Sequence, residues 1–357
     1  MKIIYGICAW GLGHATRSLP LIRKLIEENH ELTIISSGRS LQLLKKELNE
    51  KAEYMDMPGY PMLLSKNSRQ FLAKSMIYWP KFIANMEKSL QKLTKILKHK
   101  KCDLIISDGK YEIYSKKIPT YFISHQMRIM NPLRIKMFET GSEIFNLFFF
   151  KRYKGIIIPD YKKNNLSGDL SHNLKLIKEK KLHYVGALSD FNKKNIKKDI
   201  DYLISISGPE PQRTFFEKKI LSQIQKLDGK IVVTLGKTET EDKWNQQNIE
   251  TYSFVNKEKR EELLNRAKIM ISRSGYSTIL DLAVIGTKAL MSPTPGQIEQ
   301  EYLAKYHRQK KTFHTVNQDK INLDEDIKIA EKRPGIKRNC DVENTVENIM
   351  QIITETK

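Results

Sequence analysis

Short apolar runs that end at a small or acidic residue and hand over to an amphipathic helical stretch recur along this chain, and the series starts twice. Lys2–Cys8 reads as a buried strand, Gly11–His14 as a loop, Thr16–Glu28 as a helix with Leu19, Ile22, Leu25 and Ile26 on one face, and Glu31–Ser36 as the next strand. This is a βαβ unit, the building block of a parallel sheet wrapped by helices. The pattern continues through Cys102–Ser107, Pro119–Ser124 and Gly155–Pro159. After HYVGALSD at 183–190 it begins again. Tyr202–Ile206 is followed by the turn SGPEPQ and a helix from about Arg213 to Lys226. Strands at Lys230–Leu235, Ile249–Val255, Lys268–Ser272 and Lys288–Met291 then alternate with helices near 257–267, 276–285 and 297–307. A chain of 357 residues exceeds what one core usually serves. The expected organisation is an α/β domain over 1–186, a second over 187–339, and a C-terminal helix at 340–357 that packs back on the first. The charged run NKKNIKK at 192–198 reads as the connection.

Both series open with a loop suited to an anion. In AWGLGHATRSLP, Gly11 and Gly13 separate a strand from a helix, where missing side chains let a ligand approach the backbone and the helix N-terminus. The third glycine of the dinucleotide fingerprint is absent, which disfavours a dehydrogenase. His14 follows directly. An imidazole can take a proton from an attacking hydroxyl near neutral pH, so His14 is the candidate base, with a plain helix-capping histidine as the alternative. In the second series Ser207, Gly208 and Arg213 fill the corresponding turn and suit a diphosphate, unless this is an ordinary proline-rich turn.

The segment ISRSGYSTILDLAVIGTKALMSPTPGQIEQEYLA is the most informative. A strand ends at Ser272, Arg273, Ser274 and Gly275 form a turn that reads as phosphate- and nucleotide-binding, and Asp281 lies inside the next helix. The Ser274 and Gly275 amides at a helix start suit phosphate, and an acid such as Asp281 can accept hydrogen bonds from both ribose hydroxyls.

Together GLGH, SRSG with its following acid, and PGQIEQEYLA resemble the MurG-type glycosyltransferases of family 28. The resemblance implies a GT-B fold, two Rossmann-like domains with parallel sheets facing a cleft, and inverting transfer from a UDP-sugar such as a UDP-N-acetylhexosamine. It implies His14 as the glycine-loop histidine and Asp281 as the ribose acid. Gln300 and Glu301 match the paired glutamines that hold the donor sugar, and Gln297 is grouped with them. Asp108, the acid closing DLIISD, and His125 are assigned to the acceptor side. The chain departs from the family in its shorter glycine loop, in SGPEPQ, and in Glu301 where a second glutamine is expected. Nucleotide-sugar hydrolases of similar architecture also carry a GxGH loop followed by an arginine, here Arg17, and would use His14 to activate water.

No metal is expected to be required, with magnesium at most assisting. The DxD pairs Asp199–Asp201 and Asp324–Asp326 lie in charged segments without a supporting loop. The formal charge of +21 favours anionic partners, and a basic nucleic-acid-binding protein is an alternative reading, yet no nucleic-acid motif accompanies the charge, so specific nucleic-acid binding is not expected. Arg69–Phe82 and Ile144–Lys154 interleave apolar and basic residues, as a face docking on an anionic membrane with a lipid-linked acceptor would, or as core helices with basic solvent faces would. Cys8, Cys102 and Cys340 form no framework, and no run reaches membrane-spanning length. The expectation is a cytoplasmic enzyme, peripheral at the inner face of the membrane, acting on a cell-envelope glycan precursor.

Overall fold

The computed structural model describes residues 1–60, 68–131, 135–237, 240 and 242–355. Of these, 1–60, 72–190 and 341–355 form one compact unit, and 68–71 with 191–340 a second.

The first unit is built on seven described strands: β1 (Lys2–Ile7), β2 (Glu31–Ser36), β3 (Glu53–Asp56), β4 (Leu104–Asp108), β5 (Thr120–Ile123), β6 (Gly155–Ile158) and β7 (Leu182–Tyr184). They are parallel throughout and ordered β3-β2-β1-β4-β5-β6-β7. Strands covered on both faces can be apolar without alternation, which is why KIIYGI, TIIS and LIIS read as plain hydrophobic runs. One face packs Ile4, Ile35 and Ile105 against Met57, Leu93 and Ile113; another cluster gathers Phe122, Ile156 and Ile158 with Phe150 and Tyr153. The helices are α1 (Gly13–Glu27), α2 (Gly38–Leu48), α3 (Ser68–His99, in this unit from residue 72), α4 (Lys136–Phe150) and, from the far end of the chain, α10 (Val342–Thr354). Helix α10 turns Val346, Ile349 and Ile353 inward, and the Tyr121 hydroxyl donates to the Ile352 carbonyl at 2.9 Å.

The second unit repeats the plan with β8 (Ile200–Ser205), β9 (Ile231–Thr234), β10 (Lys243–Gln246), β11 (Ile249–Tyr252), β12 (Ala267–Ser272), β13 (Lys288–Met291) and β14 (His314–Thr315), ordered β10-β11-β9-β8-β12-β13-β14. All pairs are parallel except β10 with β11, a hairpin at the edge. Helices α5 (Gln212–Leu221), α6 (Lys257–Arg266), α7 (Tyr276–Ile285), α8 (Ile298–Gln309) and α9 (Leu323–Glu331) flank it. Its core joins Ile204, Val233, Ile271 and Leu290 to Phe216, Ile220 and Ile327.

In each sheet the strand order reverses at one place: between β1 and β4 in the first unit, between β8 and β12 in the second. Loops leaving the carboxyl ends of those two strands diverge to opposite sides, opening a crevice where open α/β sheets take ligands.

Candidate functional site

At the first crevice β1 and β4 are paired with Ile7 opposite Asp108, and the Cys8 amide donates to the Asp108 carbonyl at 2.8 Å. The glycine loop then turns on Gly11, whose φ of +71° is left-handed, and releases the chain into α1. His14, Arg17 and Ser18 follow at helical spacings of three and four, so all three face Asp108. His14 Nδ1 is 2.7 Å from Asp108 Oδ1. Arg17 donates from Nε to Oδ2 at 2.9 Å and from its terminal nitrogen to Oδ1, and Ser18 Oγ donates to Oδ2 at 2.9 Å. A further Arg17 nitrogen lies 3.1 Å from His125 Nδ1.

Asp108 is fully buried. Burial would raise its pKa, but the Arg17 charge and the hydrogen bonds from Arg17 and His14 outweigh it and hold the carboxyl well below the usual carboxylate range. An acid kept ionised can only accept, so His14 carries its proton on Nδ1 and leaves Nε2 as the basic nitrogen, on a ring about one quarter exposed. The neighbouring Arg17 nitrogen, 2.9 Å from Nδ1, is then a close approach without a shared proton. Gly109 backs the ring: at φ +71°, a Cβ there would lie 2.9 Å from His14 Cε1 and 3.1 Å from Cys8 Cβ. Arg17 enters the sequence reading only through the hydrolase pattern, and Ser18 and Gly109 escape a reading that looks for a base alone. The signal for Arg17 and Ser18 is their spacing from His14, and for Gly109 the Asp-Gly pair at a strand end.

At the second crevice the loops after β8 and β12 meet. Gly208, at φ +121°, stands over the Arg273 side chain: a Cβ on it would be 3.7 Å from Thr294 Oγ1 and 3.9 Å from Arg273 Nε. Arg273 is buried and stacks on Phe216 with its guanidinium carbon 4.0 Å from the ring centre. Its terminal nitrogens donate to the carbonyls of Pro293 at 3.1 Å and Gln212 at 2.9 Å, and to Gln318 Oε1 at 2.5 Å. With neutral acceptors around it, burial pushes its pKa down to about 9, and it remains a cation at neutral pH.

Ser274, Gly275, Gln300 and Glu301 are gathered beside it. Ser274 Oγ donates to the Gln300 carbonyl at 2.9 Å, Gln300 Oε1 accepts from the Thr294 amide at 2.9 Å, and Glu301 Oε1 accepts from the Gly296 amide at 2.8 Å. The carboxamide and carboxylate thereby shape the 294–297 loop that precedes α8, whose N-cap residue is Gln297. Helix α7 starts after Gly275 with no side-chain cap among the described residues, and Asp281 sits half-buried in its second turn. The turn after Ser207 is different. Arg213 is held by Glu210 at 2.6 Å and Glu217 at 2.5 Å, and Glu210 also accepts from the Thr214 amide at 3.3 Å. A protein carboxylate therefore already occupies the start of α5, and the Arg213 guanidinium serves the turn itself.

The acids of the DxD matches are taken up in pairs: Asp199 with Arg266 at 2.7 Å, Asp201 with Lys268 at 2.7 Å, Asp324 with Lys328 at 2.9 Å and Asp326 with His314 at 2.7 Å. Of the two apolar and basic stretches, the side chains of 69–73, 75 and 76 lie outside the described residues. Beyond them Ile77 and Trp79 are exposed, as are Ile144 and Phe148 on α4, whose Phe149, Phe150 and the following Tyr153 are buried. No described helix is long and apolar enough to cross a membrane.

Comparison with known proteins agrees with this layout. Residues 1–131 match the model described as glycosyl transferase family 1, and residues 210–334 match the glycosyltransferase family 28 C-terminal domain. A protein of Methanosarcina acetivorans described as an uncharacterized glycosyltransferase is 28% identical over 333 residues, covering 84% of this chain and 82% of its own. One from Methanosarcina mazei, described in the same words, is 26% identical with the same coverage. The calicheamicin glycosyltransferase CalG4 superposes with a TM-score of 0.64 at 12% identity, over 98% of this chain and 94% of its own. MurG of Acinetobacter baumannii gives 0.58 at 11%, over 100% of both. The chain is a glycosyltransferase of the GT-B fold. Its second unit carries family 28 C-terminal homology, and residues 1–131 of its first unit match the family 1 model.

Proposed function

We propose that this protein is an inverting transferase that moves a sugar from a UDP-sugar to an acceptor hydroxyl, with His14 as the base. The observation carrying this reading is the 2.7 Å contact between His14 Nδ1 and the buried, arginine-held Asp108. An ionised acid behind Nδ1 fixes the tautomer that leaves Nε2 to receive a proton, and it stabilises the imidazolium that results. The acceptor oxygen attacks the anomeric carbon from the face opposite the diphosphate as its proton passes to Nε2. The anomeric C–O bond to the diphosphate breaks, and UDP leaves with that electron pair. Gly11 and Gly13 keep the loop beside His14 open, and His125 supports Arg17 on the acceptor side.

The donor is assigned to the second unit. Asp281 takes the ribose hydroxyls, the α7 N-terminus after Ser274 and Gly275 faces the diphosphate with Ser207 and Gly208 opposite, and Gln297, Gln300 and Glu301 bound the sugar. Magnesium is at most an assistant. The exposed apolar side chains of α3 and α4, among many lysines, support an amphiphilic acceptor presented at an anionic surface, and with it a peripheral location on the cytoplasmic face of the membrane.

The test is a pair of measurements on one variant. His14→Ala is expected to lower turnover roughly 10²–10⁴-fold while calorimetric affinity for UDP stays unchanged. Unaltered turnover would remove the base assignment. Release of free sugar with no dependence on any acceptor would assign the same residues to hydrolysis.

A further inference from the structure

One arginine touches two imidazoles at the first crevice. A terminal nitrogen of Arg17 lies 3.1 Å from His125 Nδ1, and its other terminal nitrogen lies 2.9 Å from His14 Nδ1, within reach because the two residues are three apart on α1. A guanidinium stays charged, carries five N–H groups and has no acceptor, so it can only donate. A ring nitrogen bonded to it must therefore present a lone pair. At His14 that lone pair is missing, because Nδ1 donates its proton to the ionised Asp108 at 2.7 Å. At His125 the lone pair has to be on Nδ1, which puts the proton on Nε2. The two histidines are thus held in opposite tautomers by a single guanidinium. The His125 ring is buried and rides on a loop tied down along its length: the Ser124 amide donates to the Ile157 carbonyl at 3.0 Å, the Gln126 amide to Ser124 Oγ at 3.0 Å, and the Met127 amide to the Leu170 carbonyl at 2.8 Å.

We propose that His125 is a positioning residue for the reaction: by accepting from Arg17 at Nδ1 it holds the guanidinium in its place on Asp108, and so selects the His14 tautomer that leaves Nε2 unprotonated. The inference rests on the base assignment above and adds what keeps that base in its reactive form. The competing arrangement needs only a small movement. If the guanidinium turned from His125 and donated to His14 Nδ1, that nitrogen would have to present a lone pair. The His14 proton would then sit on Nε2, and the nitrogen assigned to the acceptor hydroxyl could no longer receive one. Asp108 alone does not decide between the two, since its Oδ1 accepts from Arg17 as well as from His14. A second acceptor for the guanidinium tips the balance, and His125 Nδ1 supplies it. His125 therefore acts through Arg17 and not on the acceptor.

The experiment records imidazole nitrogen NMR spectra of the full chain, isotopically labelled at its eight histidines. At about pH 8, above the ordinary histidine value of about 6.5, the neutral rings show which nitrogen carries the proton. His14→Ala and His125→Asn assign the two signals of interest. In wild type we expect His14 protonated on Nδ1 and His125 on Nε2. His125→Phe removes the acceptor, and there the His14 proton should shift toward Nε2. UDP release from UDP-N-acetylglucosamine should fall at least roughly tenfold, part of the roughly 10²–10⁴-fold that a general base contributes, with calorimetric UDP affinity unchanged. His125→Asn places a carboxamide oxygen near the position of Nδ1 and should bring back both the His14 tautomer and most of the turnover. A wild-type His125 protonated on Nδ1 would overturn the proposal, and that reading requires no variant to fold. So would a His14 signal that is the same in His125→Phe as in His125→Asn, with both melting like wild type, however far turnover falls. The base assignment fails differently. If the His14 tautomer follows the residue at 125 while His14→Ala turns over normally, the positioning stands and the base does not.

Discussion

Asp108 answers to three side chains at once, and this makes its substitution informative. An Asp108→Asn change keeps the shape but turns one oxygen into a donor, so His14 loses the acceptor that fixes its tautomer and Arg17 loses its counter-charge. We expect turnover to fall at least as far as in His14→Ala, and stability to fall by about 3–5 kcal/mol because a buried guanidinium is left unpaired. Denaturant titration of the variant measures the second effect. The carboxyl is depressed in the folded state, so its stabilising contribution is full above the unfolded carboxylate value of about 3.9 and is lost as pH falls below that value toward the folded one. Wild type should therefore lose melting temperature steeply below about pH 4, and Asp108→Asn should flatten that part of the curve. Gly109→Ala probes the same ring from behind. Left-handed backbone and a 2.9 Å approach to His14 Cε1 together should displace the imidazole at a cost of about 1–3 kcal/mol. Turnover should drop much more than UDP affinity; an equal drop in both would mean that the glycine serves only the fold.

At the scale of elements, the strands that carry the crevices were the most legible. Uninterrupted Ile-rich runs such as KIIYGI and LIIS are what two-sided burial demands, and the expected strands at 31–36 and 288–291 coincide with β2 and β13. What escaped were elements whose residues carry no such signal. The β3 sequence EYMD is mostly polar, β10 is exposed along its whole length, and β14 has two residues. Each lies at or beside a sheet edge, where pairing with a neighbour rather than burial makes the strand. The α5 helix ends at Leu221, short of Lys226, and breaks into a separate turn over Ile224–Lys226. The candidate residues show the same division. His14, Asp108 and Asp281 announce their chemistry by type and place, whereas the contacts of Gln318 with Arg273 and of Thr294 with Gln300 come from loops brought together only by the fold. Asp281→Ala should abolish selective uridine binding while leaving the α7 backbone intact, with the circular dichroism spectrum unchanged; retained selectivity would move the ribose elsewhere.

At the scale of the whole molecule, each sheet places its candidate residues where its own strand order reverses, so one topological rule accounts for His14 with Asp108 and for Gly208 with Arg273. The charge of +21 acts at the same scale, as a field and not as a site. Binding of the intact protein to anionic vesicles should weaken steeply as salt rises past physiological strength, while UDP affinity should change far less. Vesicle sedimentation and calorimetry across a salt series check this pair of expectations. Salt-insensitive vesicle binding would shift the weight to the apolar side chains of α3 and α4. Helix α10 offers a stability test confined to the first unit: Ile349 is fully buried there, and Ile349→Ala should cost about 2–5 kcal/mol in denaturant unfolding.

The return of α10 to the first unit also sets an order of events during synthesis. Its side chains pack beside α1, and the Ile352 carbonyl accepts from Tyr121 across 231 positions of sequence. On the ribosome, the first sheet emerges with a place on its surface for a helix that has not been translated. Residues 191–340, the bulk of the second unit, must leave the exit tunnel before that helix can. The N-terminal unit is thus the first to begin folding and the last to finish. A nascent chain halted near residue 330 should expose the uncovered apolar face to chaperones.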